Sequence, residues 1–93
     1  MTDAEFRRRG QSLGLECFVE NYELFHNRRL KQFEIVAHLM KHKGYTRSAS
    51  RTRASNARRI IEAGRSRDML EWYIGSKNPD PELVKKARRL LGD

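Results

Sequence analysis

Residues 46–64 read TRSASRTRASNARRIIEAG, and this stretch decides the predicted fold. Thr46 is a favourable N-cap, Gly64 suits the residue after a helix, and the apolar residues between them recur at helical spacing. Such a helix would be roughly 25 Å long at 1.5 Å per residue. At about 100° per residue, one side of it collects small and apolar side chains, namely Ala49, Ala54, Ala57, Ile60 and Ile61. This narrow face predicts close packing against a neighbouring helix.

The opposite side of the predicted helix combines cations with hydroxyl groups. It carries Arg47, Ser48, Arg51, Thr52, Ser55, Arg58 and Arg59. Guanidinium groups bind phosphates or the guanine edge, and short hydroxyl side chains reach either phosphate or base without steric bulk. Arg53 breaks the pattern because it lies among the alanines. It is either paired with an acid such as Glu34 or marks an interruption of the helix.

The positive charge of the chain is concentrated around this helix. Residues 41–67 contain nine Lys or Arg and a single acid, Glu62. The flanking segments 1–40 and 68–93 carry equal numbers of basic and acidic residues, so residues 41–67 account for the whole net charge of +8. Charge localised in this way indicates an ordered basic surface. A polyanion is the first partner to consider, and nucleic acid is the commonest one.

The bulk properties describe one small soluble domain, covering residues 1–93. A chain of this size buries only about 60 to 70% of its unfolded surface, so the core must be small. Cys17 is the only cysteine, which excludes an intrachain disulfide and favours a reducing interior. No apolar run of about 18 residues and no signal-peptide pattern is present. We therefore expect a cytoplasmic protein with no membrane contact, associated with the nucleoid if it binds DNA.

Helical periodicity also precedes the basic stretch. Thr2 and Glu5 have the spacing of a capping box, which predicts a helix from Asp3 with a bend or break between Gly10 and Gly14. Two apolar stripes follow, Leu15, Phe18, Val19, Tyr22 and Phe25 in the first, and Leu30, Phe33, Val36, Ala37 and Met40 in the second. Each predicts a helix whose stripe faces the core, and Asn27 is the expected cap of the second.

Two further helices are predicted after the basic stretch. The first is capped by Ser66 and stopped by Gly75. Its neighbouring rings Trp72 and Tyr73 cannot share one helix face, so one of them either faces outward as a dimer contact or takes a second core position. The second begins at Asp80, has Pro at its first position and ends before Gly92. No strand pattern is present. The predicted fold class is therefore all-α, a small compact domain of about five helices.

The order helix, glycine-containing turn, basic helix is that of a helix-turn-helix pair, whose second helix enters the major groove. The predicted connection, Lys41 to Tyr45, is somewhat longer than the tightest examples. Tyr45 either contacts a phosphate through its hydroxyl or packs against the helix pair. The predicted nucleic-acid-binding residues are Lys41, Lys43, Tyr45, Arg47, Ser48, Arg51, Thr52, Ser55, Arg58 and Arg59.

The sequence leaves three interpretations of the basic helix open: nucleic-acid binding, docking on an acidic protein as a helical adaptor or inhibitor, and a solvated surface. Double-stranded DNA is favoured over RNA because the arginines lie on a helix with an apolar back, whereas arginine-rich RNA-binding segments are often disordered until bound. The favoured function is a small sequence-specific transcriptional regulator that acts as a homodimer on two half-sites. RNA stays an alternative partner.

Catalysis and cofactor binding find little support in the sequence. His38 and His42 are four residues apart with Glu34 one turn earlier, but the Cys or further His ligands of a convincing metal site are missing. Cys17 lies beside an apolar stripe and is interpreted as a buried structural thiol. We therefore predict a protein that is not an enzyme and binds no metal or cofactor.

Overall fold

Seven helices account for most of residues 1–92, the part of the chain that the computed structural model describes. They are α1 (Asp3–Leu13), α2 (Leu15–Glu20), α3 (Tyr22–His26), α4 (Gln32–Lys43), α5 (Arg47–Glu62), α6 (Ser66–Ile74) and α7 (Pro81–Leu91). Residues 1–92 contain no strand, which confirms the all-α class. Asp93, the last residue of the predicted domain, lies outside the described residues.

Short polar side chains and glycines set the ends of these helices, as the sequence predicts. Thr2, Thr46 and Asp80 each accept a hydrogen bond from a backbone N–H of the first turn, at 3.1, 3.1 and 2.9 Å. Gly44 and Gly92 end α4 and α7 with φ of 71° and 94°. Residues with a Cβ rarely adopt this conformation, so glycine is favoured at both positions.

The domain has more helices than the predicted five because its first half is divided at Gly14, within the predicted break, and again at Asn21. The helix expected over Leu15 to Phe25 breaks at Asn21, whose buried amide donates to the carbonyl of Cys17 at 3.0 Å. Asn27 is not the cap of α4. It accepts a hydrogen bond from the N–H of Arg29 at 3.0 Å, and Lys31 is the N-cap instead. At the next helix boundary, Ser66 is the first residue of α6 rather than its cap.

The core forms around α5, which packs against α1, α3 and α4, while α6 packs against α2 and α7. Ala54 and Ala57 are fully buried, and their small size lets neighbouring helices approach, as predicted. The most deeply buried large side chains are Leu13, Phe18, Val19, Phe25, Ile35, Leu39, Ile60, Met69 and Leu70. Cys17 is also buried and free, as expected of a structural thiol.

The predicted core stripe of α4 is correct at Val36, and Leu30 and Met40 are partly buried against the core, but it is wrong at Phe33 and Ala37. The helix turns Ile35, Val36 and Leu39 inward, whereas Phe33 is 69% exposed and Ala37 is also exposed. The reason is that α4 is apolar on two faces, and periodicity alone does not decide which face is buried. One apolar face of α4 is therefore left at the surface.

Both neighbouring rings of α6 are packed, so the second ring takes the core position rather than the outward one. Tyr73 is buried, and its hydroxyl accepts a hydrogen bond from the N–H of Asp80 at 2.9 Å. Trp72 lies 5.6 Å from Phe6, centroid to centroid, and covers Gly10, where a Cβ would come within 2.5 Å of the indole. None of the helices formed by residues 1–92 has the length and apolar composition needed to cross a membrane.

Candidate nucleic-acid interface

The helices α4 and α5 form a tight pair. α4 continues through Lys43, so only Gly44, Tyr45 and Thr46 connect it to α5. The connection is thus shorter than the predicted Lys41 to Tyr45, because Gly44 in its left-handed conformation turns the chain within one residue. A turn of about three residues that contains glycine is typical of helix-turn-helix pairs.

The outward side of α5 carries an exposed row, which we define as Arg47, Ser48, Arg51, Thr52, Ser55 and Arg59. Four of these residues follow one another at a spacing of four, so they line up along the helix. Arg47, Arg51 and Arg59 form no ion pair with any of residues 1–92. Their guanidinium groups are therefore available to an anion from solution.

Arg58 lies within the same arc of α5 but is turned back onto the domain. Its guanidinium donates to the backbone carbonyls of Asn27 and Leu30 at 3.1 and 3.0 Å. Both carbonyls belong to the irregular segment before α4. The carbonyl of Asn27 also accepts from the N–H of Leu30 at 3.2 Å, whereas Arg58 is the donor to the carbonyl of Leu30. Arg58 therefore holds that segment against α5, whereas its neighbour Arg59 stays exposed.

Arg53 is neither paired with Glu34 nor placed at an interruption, since α5 is continuous from Arg47 to Glu62. Its guanidinium donates to the carbonyl of Leu13, the last residue of α1. It also lies 4.3 Å from the centre of the Tyr45 ring. The carbonyls at a helix C-terminus lack intrahelical donors, so Arg53 caps α1 from within the core-facing side of α5.

Two more of the predicted binding residues make contacts inside the domain. Lys43 forms an ion pair with Glu20. Tyr45 is half-buried against the core, and burial together with the neighbouring Cys17 raises its pKa. Lys41 is exposed near the end of α4. The structure therefore brings together the exposed row and leaves Lys43, Tyr45 and Arg58 committed to internal contacts.

A groove between α4 and α5 adjoins the exposed row, and sequence reasoning did not anticipate it. Its volume is about 760 Å³. One wall is apolar and belongs to α4; the other is formed by arginines of α5. The lining residues are Lys31, Gln32, Phe33, Val36, Ala37, Met40, Arg47 and Arg51, with no carboxylate among them. The signal in the sequence was the apolar stripe of α4, which was assigned to the core.

Metal chemistry has no cluster to support it within residues 1–92. No three His, Cys, Asp or Glu side chains converge there in a way that could hold an ion. His38 and His42 are exposed neighbours, with ring centroids 4.3 Å apart. The chemistry that the α4–α5 surface does offer is anion binding by guanidinium and hydroxyl donors beside an apolar wall.

Comparisons of the chain with protein-family models, curated proteins and solved structures found no match.

Proposed function

We propose that this protein binds double-stranded DNA through α5 and regulates transcription at specific sequences. The observation that carries the proposal is the exposed row, in which three arginines without an ion-pair partner among residues 1–92 alternate with short hydroxyl side chains. Arginine pairs with the O6 and N7 atoms of guanine or with phosphates, and Ser and Thr donate to both. A row of this kind suits the floor and the edges of the major groove.

The arrangement of α4 and α5 supports separate roles for the two ends of the exposed row, one in contacting bases and the other in contacting phosphates. In helix-turn-helix proteins the N-terminal part of the second helix reaches base edges, and the flanking parts contact the backbone. Arg47 and Arg51, with Ser48 and Thr52 beside them, are accordingly the proposed base contacts. Arg59 and Lys41 are the proposed phosphate contacts. Arg58, which the sequence suggested as a further phosphate contact, is left out because its guanidinium is already bound to two carbonyls.

The proposal includes a homodimer acting on two half-sites. One recognition helix contacts only a few base pairs, and a small domain gains useful affinity and specificity by binding a pair of sites. Two such helices would enter successive major grooves about 34 to 36 Å apart. A protein with this function would work inside the cell, at the chromosome, and without catalysis.

The salt dependence of binding to a random duplex tests the DNA interaction itself. The surface offers five cations without an internal partner among residues 1–92, namely Lys31, Lys41, Arg47, Arg51 and Arg59. On a random duplex Arg47 and Arg51 meet no preferred base and are free to contact phosphates. With all five cations on phosphates, the logarithm of affinity falls with the logarithm of salt concentration at a slope of about −4.5, or about 500-fold between about 50 and 200 mM. Fluorescence anisotropy with a labelled duplex measures this slope.

The same titration distinguishes the competing partners. Tighter binding to RNA than to duplex DNA at equal salt would make RNA the partner. Absence of binding to any nucleic acid at about 50 mM salt would contradict the proposal and favour an acidic protein. Selection from a random duplex library then tests specificity, and paired half-sites separated by about 10 base pairs are the result expected of a dimer.

A further inference from the structure

The apolar wall of the α4–α5 groove has no role in the contacts proposed so far. Phe33 is 69% exposed, more than any other large apolar side chain among residues 1–92. Ala37 and Met40 follow it at helical spacing and line the same groove. Exposed apolar surface rimmed by polar residues is typical of ligand-binding grooves.

The charges of the groove restrict what can cover this wall. Lys31, Arg47 and Arg51 line it, and no carboxylate does. A second copy of the chain, with its net charge of +8, would be repelled from this side. A ligand that reaches Phe33 also meets the two arginines assigned above to DNA, so the occupant that fits is a polyanion with an apolar group at its surface.

Double-stranded DNA has one such group in its major groove, the C5-methyl of thymine. We propose that the apolar wall of α4, with Phe33 as its main contact, reads thymine methyl groups beside the bases contacted by Arg47 and Arg51. This inference rests on the proposed DNA binding and adds the base chemistry that the site prefers. Phe33 is then a specificity residue that α4 contributes to the recognition surface.

Gln32 adds a hydrogen-bonding side chain beside the apolar wall. It lines the groove together with Phe33 and also the adjoining hollow formed with Arg51, Thr52 and Ser55. The Gln side chain pairs with the N6 and N7 atoms of adenine. A single A·T pair can present its adenine edge to Gln32 and its thymine methyl to Phe33. The expected site therefore contains an A·T pair next to a guanine that Arg51 contacts.

Replacing thymine by uracil tests this inference, because uracil keeps every hydrogen-bonding group and lacks only the methyl. Each thymine of a duplex selected from the random library is changed to uracil in turn, and affinity is measured by anisotropy. The wild-type protein should bind about fourfold more weakly when a contacted thymine is replaced. One buried methyl contributes about 0.8 kcal/mol, and about 1.4 kcal/mol corresponds to a tenfold change in affinity.

Three variants separate a methyl contact from a general effect of α4. Phe33→Ala should bind the thymine and uracil duplexes equally, and Phe33→Leu should keep most of the preference because it stays apolar. Since Phe33 is largely exposed, both variants should fold, which circular dichroism checks. His38→Ala is the matched control, since His38 is exposed on the same helix but does not line the groove. It should retain the full preference.

The outcomes distinguish this inference from the proposed function. If both duplexes bind equally tightly to the wild-type protein and the salt slope persists, DNA binding stands, the methyl contact is wrong, and the groove is left for a protein partner. If Phe33→Ala weakens both duplexes by the same factor, Phe33 does not read the methyl. Tighter binding to single strands also overturns the inference, because a ring that stacks on unpaired bases needs no methyl group. Absence of duplex binding overturns both proposals.

Discussion

The exposed row of α5 and the inward-facing side of the same helix both carry arginines, but the two groups of arginines make opposite kinds of contact. Arg47, Arg51 and Arg59 extend into solvent, whereas Arg53 and Arg58 reach back to carbonyls of other elements. The division extends through residues 41–67. Hydrogen bonds or ion pairs within the domain engage the side chains of Lys43, Arg53, Arg58, Arg65 and Arg67. The side chains of Lys41, Arg47, Arg51 and Arg59 form neither with residues 1–92.

The inward arginines explain why a basic stretch can be part of a stable fold. Arg53 satisfies a carbonyl at the C-terminus of α1. Arg58 satisfies the carbonyl of Leu30 in the segment before α4 and gives that of Asn27 a second donor. Backbone carbonyls outside regular hydrogen bonding need a donor, and a guanidinium offers several in a fixed geometry. The two side chains thus attach α5 to the elements on either side of it. Some of the basic side chains of residues 41–67 therefore stabilise the fold, and only the others are free to bind a ligand.

The largest expected difference between the two groups is in stability. Arg53→Ala should lower the free energy of unfolding by about 2 to 3 kcal/mol, because it removes a charge-assisted hydrogen bond and the contact with the Tyr45 ring. Arg51→Ala, at an exposed position on the same helix, should change it by less than about 0.5 kcal/mol. Urea unfolding followed by circular dichroism measures both. Equal effects would mean that the contacts of Arg53 add no stability.

Binding should show the reverse order. Arg51→Ala should lose about 1 to 3 kcal/mol of affinity for the selected duplex and reduce discrimination against other sequences, as expected for a base contact. Arg88→Ala is the control, because Arg88 is exposed on α7, which packs against α2 and α6. If both variants lose the same affinity, binding depends on overall charge and the assignment of α5 as a recognition helix must be withdrawn.

Two adjacent arginines give the closest test of the division. Arg59→Ala should weaken binding to all duplexes alike and reduce the magnitude of the salt slope by about one, since it removes one phosphate contact. Arg58→Ala should leave the slope unchanged and destabilise the domain instead, because the carbonyl of Leu30 loses its donor and that of Asn27 loses one of its two. Anisotropy at several salt concentrations, together with urea unfolding, distinguishes them. A reduced slope for a folded Arg58→Ala protein would assign a phosphate to Arg58 as well.

Much of the fold could be predicted because its signals are local. The caps Thr2, Thr46 and Asp80 and the glycines that end helices act on neighbouring backbone, so their chemistry can be read from the sequence. The apolar side of α5 was clear because only one of its faces is apolar. For α4 the pattern was ambiguous, and the surface position of Phe33 depends on how α4 docks, which is tertiary information.

The candidate site could be predicted only in part for the same reason. Arg58 and Arg59 are adjacent in sequence and share one arc of α5, and nothing local distinguishes them. The difference arises because the segment from Asn27 to Leu30 folds against α5 and presents its carbonyls to Arg58. Arg53 was recognisable as an anomaly, but its partner is a backbone carbonyl distant in sequence. A sequence pattern can indicate a side-chain partner by its residue type, whereas a backbone carbonyl is present in every residue and gives no such signal.

The histidines show the same contrast between inward and outward side chains. His26 is half-buried, and its ring lies 3.8 Å from that of Tyr22, centroid to centroid. In the neutral form that fits this site, Nδ1–H donates to the carbonyl of Tyr22 at 2.7 Å, and Nε2 accepts from the Ser66 hydroxyl at 2.8 Å. Burial lowers the pKa of His26. His38 and His42 are exposed on α4.

The smallest expected effect is the pH dependence of stability that follows from this lowered pKa. Below the ordinary His value of about 6.5, the unfolded chain takes up a proton at this residue before the folded one does, so the free energy of unfolding decreases as pH falls towards the folded pKa. The contribution is fully present above about pH 6.5. Melting temperatures at about pH 7.5 and 5.5 should therefore differ more for the wild-type protein than for His26→Gln, and His38→Gln should behave like the wild type. If acidification lowered the melting temperature of His26→Gln as much as that of the wild type, protonation of other groups would be responsible. The inward contacts of His26 would then not couple folding to pH.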